Sequence, residues 1–251
     1  MYFCIKIKLM VKFIKRKLGL INIECWFSTK IDNKNWWRIC FYRQCKENIN
    51  SIFFKKEEFL TLLSDLSISQ EEIYRKYSAT VRNEINRAKR DEIIFSFDNS
   101  INAFVPFFND FAQHKGLQNI NINHLSSYRK NLIITSAFKG ESKLCSHSYV
   151  VDFELKRVRL YQSATLRFSD EIDHNLIGRA NKYLHYQDML KFKELGFEIY
   201  DWGGLAINST DPGLIGINRF KSSFGGTEVI EYNYASKPYC WFISLKGILN
   251  R

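Results

Sequence analysis

The fold class this sequence predicts is mixed α/β, with helices packed on a mainly antiparallel sheet. Three observations carry it. Residues 69–90 place Ile73, Tyr77, Val81, Ile85 and Ala88 three or four positions apart, the spacing of one apolar helix face. Residues 132–165 hold three strand-like runs separated by short turns, one of them at Lys139-Gly140. Residues 174–195 form a second helical stretch that Gly196 ends, and a strand running into Gly203-Gly204 follows it.

Composition agrees with an ordered globular chain. Of 251 residues, 45% are hydrophobic and 16% aromatic, which excludes a disordered chain. Only 3 Pro and 12 Gly interrupt it, so regular elements are expected rather than a Pro-rich linker. The net charge of +11 favours anionic partners: tRNA, cofactor phosphates, a nucleotide-linked sugar or an anionic membrane surface. This charge is uneven, since between Arg75 and Arg90 the basic side chains face only Glu84. No helix-turn-helix, zinc finger or single-strand-binding module is legible, so DNA is not an expected partner. The cysteines Cys4, Cys25, Cys40, Cys45, Cys145 and Cys240 form no Cys-x-x-Cys pair, and the scattered histidines show no metal-ligand spacing. Reduced thiols and no metal are therefore expected. Lys6, Lys8, Lys12, Lys15, Arg16 and Lys17 break every apolar run at the start, so no transmembrane span fits. The expected location is cytoplasmic, with peripheral contact at the inner membrane face through that basic, apolar start.

The elements are expected in this order. Residues 1–60 read as short strands and turns, with Trp26, Trp36 and Trp37 as anchors. The helix over 69–90 is capped by Ser69, with Glu71 and Glu72 at the positive end of its dipole. A strand over 93–97, a helix over 101–115 and a short helix over 125–130 come next. The three hairpin strands are 132–138, 144–153 and 157–165. The long helix has Asp170, Glu171 and Asp173 near its start, and Leu176, Ala180, Tyr183, Leu184 and Leu190 on its buried face. A strand over 197–202, a brief helix over 214–221 and two strands over 227–234 and 240–245 complete the chain. Two lobes are expected: a reduced, basic one over 1–91 and a fuller one over 92–251.

Several ordered sequence stretches carry a family resemblance. Gly178-Arg179-Ala180-Asn181-Lys182-Tyr183-Leu184-His185 is followed by Lys193-Glu194-Leu195-Gly196, then Tyr200-Asp201-Trp202-Gly203-Gly204. Gly216-Ile217, Phe220-Lys221 and Phe224-Gly225-Gly226 come after. Lys76-Tyr77, Arg82-Asn83 and Arg87-Ala88-Lys89 lie upstream. This set resembles the FemABX branch of the GNAT acyltransferases. The resemblance implies a GNAT-like acyl-CoA N-acyltransferase fold and metal-independent transfer of an acyl group to an amine. In that family some members take amino acids from charged tRNA to build peptidoglycan cross-bridges, and others use acyl-CoA. The missing paired helical arm and the compact chain favour acyl-CoA as donor. A nucleotide-linked amino sugar in surface-polysaccharide synthesis is the expected acceptor; the alternatives are a FemX-like aminoacyl-tRNA-dependent peptidoglycan transferase, or a basic nucleic-acid or membrane-surface binding protein. The family's glycine-rich pyrophosphate loop is absent, for residues 167–174 contain no glycine. Helix-terminal N–H groups, helped by Arg167 or Arg179, are expected to take its place.

Direct amine attack needs a proton acceptor, an oxyanion donor and positioning, but no nucleophilic side chain. Asp201, at a strand end beside two glycines, is a candidate carboxylate or a turn cap. His147, flanked by Ser146 and Ser148, is a candidate base or a core histidine. Lys221 matches the family's lysine and would stabilise negative charge, or else lies on the surface. Tyr161 and Ser163 lie on the strand expected to face the acyl donor. Asn181, Trp202, Arg82 and Arg87 are candidates for acceptor or phosphate contact.

Overall fold

The structure is a computed structural model that describes residues 11–17, 20–97, 99–168 and 173–249. Cys4, Lys6, Lys8, Asp170 and Glu171 lie outside the described residues. Contacts divide the chain into two compact units. One joins the part up to Thr61 with the part from Val229 onward; the other is Leu62–Glu228.

In the first unit β1 (Val11–Lys17) pairs antiparallel with β2 (Leu20–Trp26), and β2 pairs parallel with β3 (Ile39–Cys45). The far partner of β3 is β10 (Thr227–Ser236), antiparallel, with a register shift between Tyr232 and Tyr234. Alternation in β3 buries Cys40, Tyr42 and Gln44 on one face. Cys25, Cys40, Cys45, Ile23, Tyr42, Phe54 and Tyr234 form the core there, and these cysteines are free thiols. Helix α7 (Lys237–Leu249) ends the described chain. The sequence had pointed to a strand over 240–245. An unbroken apolar run lacks a period that would separate strand from helix, and here it continues directly from β10 as helix.

In the second unit, α1 (Gln70–Arg75) and α2 (Ala79–Arg90) replace the single helix expected over 69–90. Ser69 and Glu72 form a capping box on α1. Ser78 starts α2 by accepting the Val81 N–H, while its own N–H goes to the Ser223 carbonyl. The stripe of Ile73, Tyr77, Val81, Ile85 and Ala88 runs across the break and is buried throughout.

After β5 (Ile94–Ser96) come α3 (Ile101–His114) and α4 (Ile122–Ser126). Three antiparallel strands follow: β6 (Leu132–Lys139), β7 (Ser142–Asp152) and β8 (Arg157–Thr165). Then α5 (His174–Glu194) leads to β9 (Ile199–Gly204), parallel to β8, and α6 (Pro212–Ser222) follows. Strand order in this unit runs β9-β8-β7-β6-β5, with β4 (Phe54–Asp65) beside β9. Helix α5 packs on β6, β7, β8 and α2, whereas α3 packs on β7 and β8 without extended contact to α5. The sheet is therefore a middle layer.

The boundary expected at residue 91 does not coincide with this division. Helix α2 sits in the core of the second unit, where Ala88 packs with Ala180, Leu184, Ala137 and Leu144. The first unit is completed by β10 from the other end of the chain.

Candidate active site

Strands β8 and β9 pair over only Arg157↔Ile199, Val158↔Tyr200 and Arg159↔Asp201. The ladder stops there, although β8 continues to Thr165 and β9 to Gly204. Two features end it. In β8 the register against β7 shifts between Ser148 and Tyr149, which leaves Tyr161 as the extra residue of a bulge. In β9 the chain turns at Gly203, at φ +72, where a Cβ would stand 3.2 Å from the Leu160 carbonyl oxygen and 3.3 Å from the Arg159 guanidinium. Gly203 gives its N–H to Asp201 Oδ1 at 2.8 Å. Backbone pairing is thus replaced by a side-chain contact at the point where two parallel strands separate.

Three polar groups border this point. Lys221 comes from α6, whose N-terminus is set by the Asp211 cap and Pro212. Its Nζ donates to the Gly204 carbonyl at 2.7 Å. Burial, followed by the charge of Arg159, brings the Lys221 pKa down to about 8 against the opposing pull of Asp201. Arg159 donates to the Leu160 carbonyl at 3.1 Å. Tyr161 OH lies 2.9 Å from His124 Nε2 and accepts from Tyr128 OH at 3.2 Å.

The other candidates sort into different places. Asp201 is fully buried, and its Oδ2 takes both Arg157 Nε (3.1 Å) and Arg157 NH2 (2.6 Å). It is both an ion-pair partner and a turn anchor. Trp202 is in the core, with its indole N–H on Ser64 Oγ at 3.0 Å, and does not offer a stacking face. His147 lies in the core between β7 and α5, where Asn181 Oδ1 is 2.9 Å from its Nε2. Ser163 is half-buried opposite His147 in the register, and its hydroxyl makes no hydrogen bond among the described residues.

Arg82 bonds the Tyr77 and Arg75 carbonyls, holding the turn between α1 and α2. Arg87 is an exposed partner of Glu84. Arg179 pairs with Asp91 at 2.6 Å and so ties α5 to the end of α2. Arg167 is exposed, and its charge, with that of Arg179, reaches Lys182. Burial lowers the Lys182 pKa first, Glu84 opposes, and those two arginines add to the lowering. The N-terminus of α5 is capped by its own Asp173, which accepts the Asn175 N–H at 2.9 Å. The N–H groups expected there for a phosphate are therefore partly taken up by Asp173, and the nearby positive charge comes from Lys182 with Arg167 and Arg179.

Behind the separation lies a buried polar chain that the sequence reading did not assemble. Tyr149 OH donates to Asp188 Oδ2 at 2.5 Å, Tyr149 and Tyr200 hydroxyls are 2.9 Å apart, and His185 Nδ1 is 2.8 Å from Tyr200 OH. Burial and then Asp188 push both tyrosine pKa values far above their ordinary range. Burial, then His147 and Lys221, push that of His185 well below the usual histidine range, so it is neutral. One signal for this chain was present: Asn181, His185 and Asp188 recur at four- and three-residue steps on one face of α5.

No protein-family model matches the chain, and no curated protein matches it. Solved structures do. FemX covers 93% of this chain and 85% of its own at a TM-score of 0.61 and 11% identity. L-PGS from Bacillus licheniformis covers 90% and 80% at 0.58 and 11%. A Bacteroides thetaiotaomicron protein of unknown function covers 86% and 80% at 0.57 and 9%. The fold is GNAT-like. That likeness extends over both units, and at this level of identity it speaks to architecture alone.

Proposed function

We propose that this chain is an N-acyltransferase that moves an acyl group from acyl-CoA to the amine of a nucleotide-linked amino sugar. The observation that carries this reading is the end of the β8–β9 ladder at Arg159↔Asp201 beside Lys221 and Tyr161. Backbone groups released from a ladder can hydrogen-bond an extended acyl donor as a strand would. The amine nitrogen attacks the thioester carbonyl, the C–N bond forms, the C–S bond breaks, and the thiol leaves. In this reading the protonated Lys221 donates to the developing oxyanion, and its fixed position on Gly204 removes the cost of reorienting it. Tyr161 OH takes the amine proton and hands its own to His124 Nε2. Arg167, Lys182 and Arg179 supply positive charge for donor or acceptor phosphates.

The likeness to FemX favours a second reading, transfer of an aminoacyl group from charged tRNA. Thermal-shift measurements with acetyl-CoA, longer acyl-CoAs, nucleotide-linked amino sugars and aminoacyl-tRNA separate the two. Saturable stabilisation by an acyl-CoA, with an N-acylated sugar found by mass spectrometry, supports the first. Binding of aminoacyl-tRNA with steep salt dependence and no response to acyl-CoA supports the second. No response to any donor overturns both.

A further inference from the structure

Among the described residues, His147, His185 and Asp188 are buried side chains whose ligand atoms all lie within 4.8 Å of one another. A proton count shows what this cluster lacks. Asn181 presents its carbonyl oxygen to His147 Nε2, so that nitrogen carries the proton and donates. His147 Nδ1 then faces Asp188 Oδ2 at 2.8 Å, one acceptor against another. The hydroxyl proton of Tyr149 goes to Asp188, so Tyr200 must donate to Tyr149. Tyr200 in turn accepts from His185 Nδ1–H. His185 Nε2 is left with a bare lone pair and makes no hydrogen bond among the described residues. Asp188 Oδ1 is buried and also has no partner.

Apart from the Tyr149 hydroxyl, which lies 2.5 Å from Asp188 Oδ2 and 3.1 Å from His147 Nδ1, no N–H or O–H among the described residues meets these electron pairs. Each unfilled buried acceptor costs about 1–3 kcal/mol, a cost that a bound cation would relieve. Each imidazole is also held by an oxygen on its far nitrogen, Asn181 Oδ1 for one and Tyr200 OH for the other. That is how proteins fix the tautomer and orientation of a metal-binding histidine.

We propose that the imidazoles of His147 and His185 and the Asp188 carboxylate bind a divalent transition metal ion, best matched by zinc, that braces β7 to α5. Two imidazoles and one carboxylate suit zinc in preference to calcium or magnesium, which take oxygen ligands. Zinc–ligand bonds of about 2.0–2.2 Å place neighbouring ligand atoms roughly 3–3.5 Å apart. The His147–Asp188 pair already meets that spacing within a few tenths of an ångström, and the outermost pair must close inward. The ion takes no part in the proposed acyl transfer, whose reacting groups are Lys221 and Tyr161. The site is shut off from solvent, so the ion is acquired during folding.

The test uses the full chain, its tag removed, from zinc-supplemented medium without chelator, measured by plasma mass spectrometry. About one zinc per chain is expected. Refolding with cobalt in place of zinc should give visible d–d absorption. Asn181→Leu, which frees the His147 tautomer, should weaken metal binding by roughly 10–100-fold. His185→Gln and Asp188→Asn should abolish it, while His114→Gln on the surface should leave it intact. Should the buried variants fail to fold, the zinc content and cobalt spectrum of the unaltered chain still decide. A chain that folds free of metal, with no rise in Tm when refolded with zinc and no cobalt spectrum, overturns the proposal.

Discussion

Helices α5 and α6 flank the same region and do opposite work. α5 buries Ile177, Ala180, Leu184, His185, Asp188, Met189 and Phe192, and its buried polar groups are tied into a side-chain network. α6 buries no residue at all; Leu214, Ile215 and Ile217 remain exposed. Its attachment includes Lys221 on the Gly204 carbonyl and Asn218 on the backbone of Ala206. Buried polar groups on α5 are committed to the frame, and those on α6 are held only to backbone groups of the strand end and the loop after it. A titratable residue in the deepest position is therefore not the better catalytic candidate.

Substitutions should separate the two helices. Asp188→Ala removes the acceptor of the buried Tyr149 hydroxyl and the carboxylate beside His147 and should cost about 3–5 kcal/mol, read by urea unfolding. A loss below 1 kcal/mol would remove α5 from the frame. Lys221→Met should leave Tm nearly unchanged yet lower kcat by roughly 10²–10³-fold in an acyl-transfer assay. Equal losses in stability and rate would erase the distinction.

The pH profile sharpens it further. Because the Lys221 pKa lies near 8, the rate should fall as pH rises through about 8, by about tenfold per unit. Lys221→Met should flatten that limb. The stability effect has the opposite sign. Between about 8 and the ordinary 10.5 the unfolded chain binds more protons at this lysine, so its contribution to stability rises with pH. The smallest effect is expected at exposed Arg87 on α2, where Arg87→Ala should change stability by no more than about 0.5 kcal/mol.

Much of the frame was legible in the sequence because it is periodic. The stripe from Ile73 to Ala88 and the three strands of β6 to β8 follow their expected positions closely. The break at Ser78 was hidden because the apolar stripe continues through it. α7 was misread because Tyr239, Cys240, Trp241, Phe242 and Ile243 have no polar interruption to set a period. At the proposed site, Lys221 was singled out by the family resemblance and Tyr161 by the strand on which it lies. His124 was not, since only α4 folding against β8 brings it to Tyr161. The partners of His147 were missed for a related reason. His185 and Asp188 sit on a helix face counted for apolar residues, and His147 reaches them from a distant strand.

The composition of the first unit from both ends of the chain has a bearing on how the protein is made. Synthesis delivers β1, β2 and β3 first, yet the β10 partner of β3 emerges only after all of Leu62–Glu228. The second unit is one continuous stretch and can close on the ribosome, while the far edge of β3 waits unpaired. An exposed strand edge bearing Phe41 and Tyr42 is a site for pairing with other chains. Expression that stalls or truncates before Thr227 should thus yield a folded second unit carrying an aggregation-prone N-terminal segment. Slower elongation across the last part of the message should lower soluble yield more than the same slowing near its start.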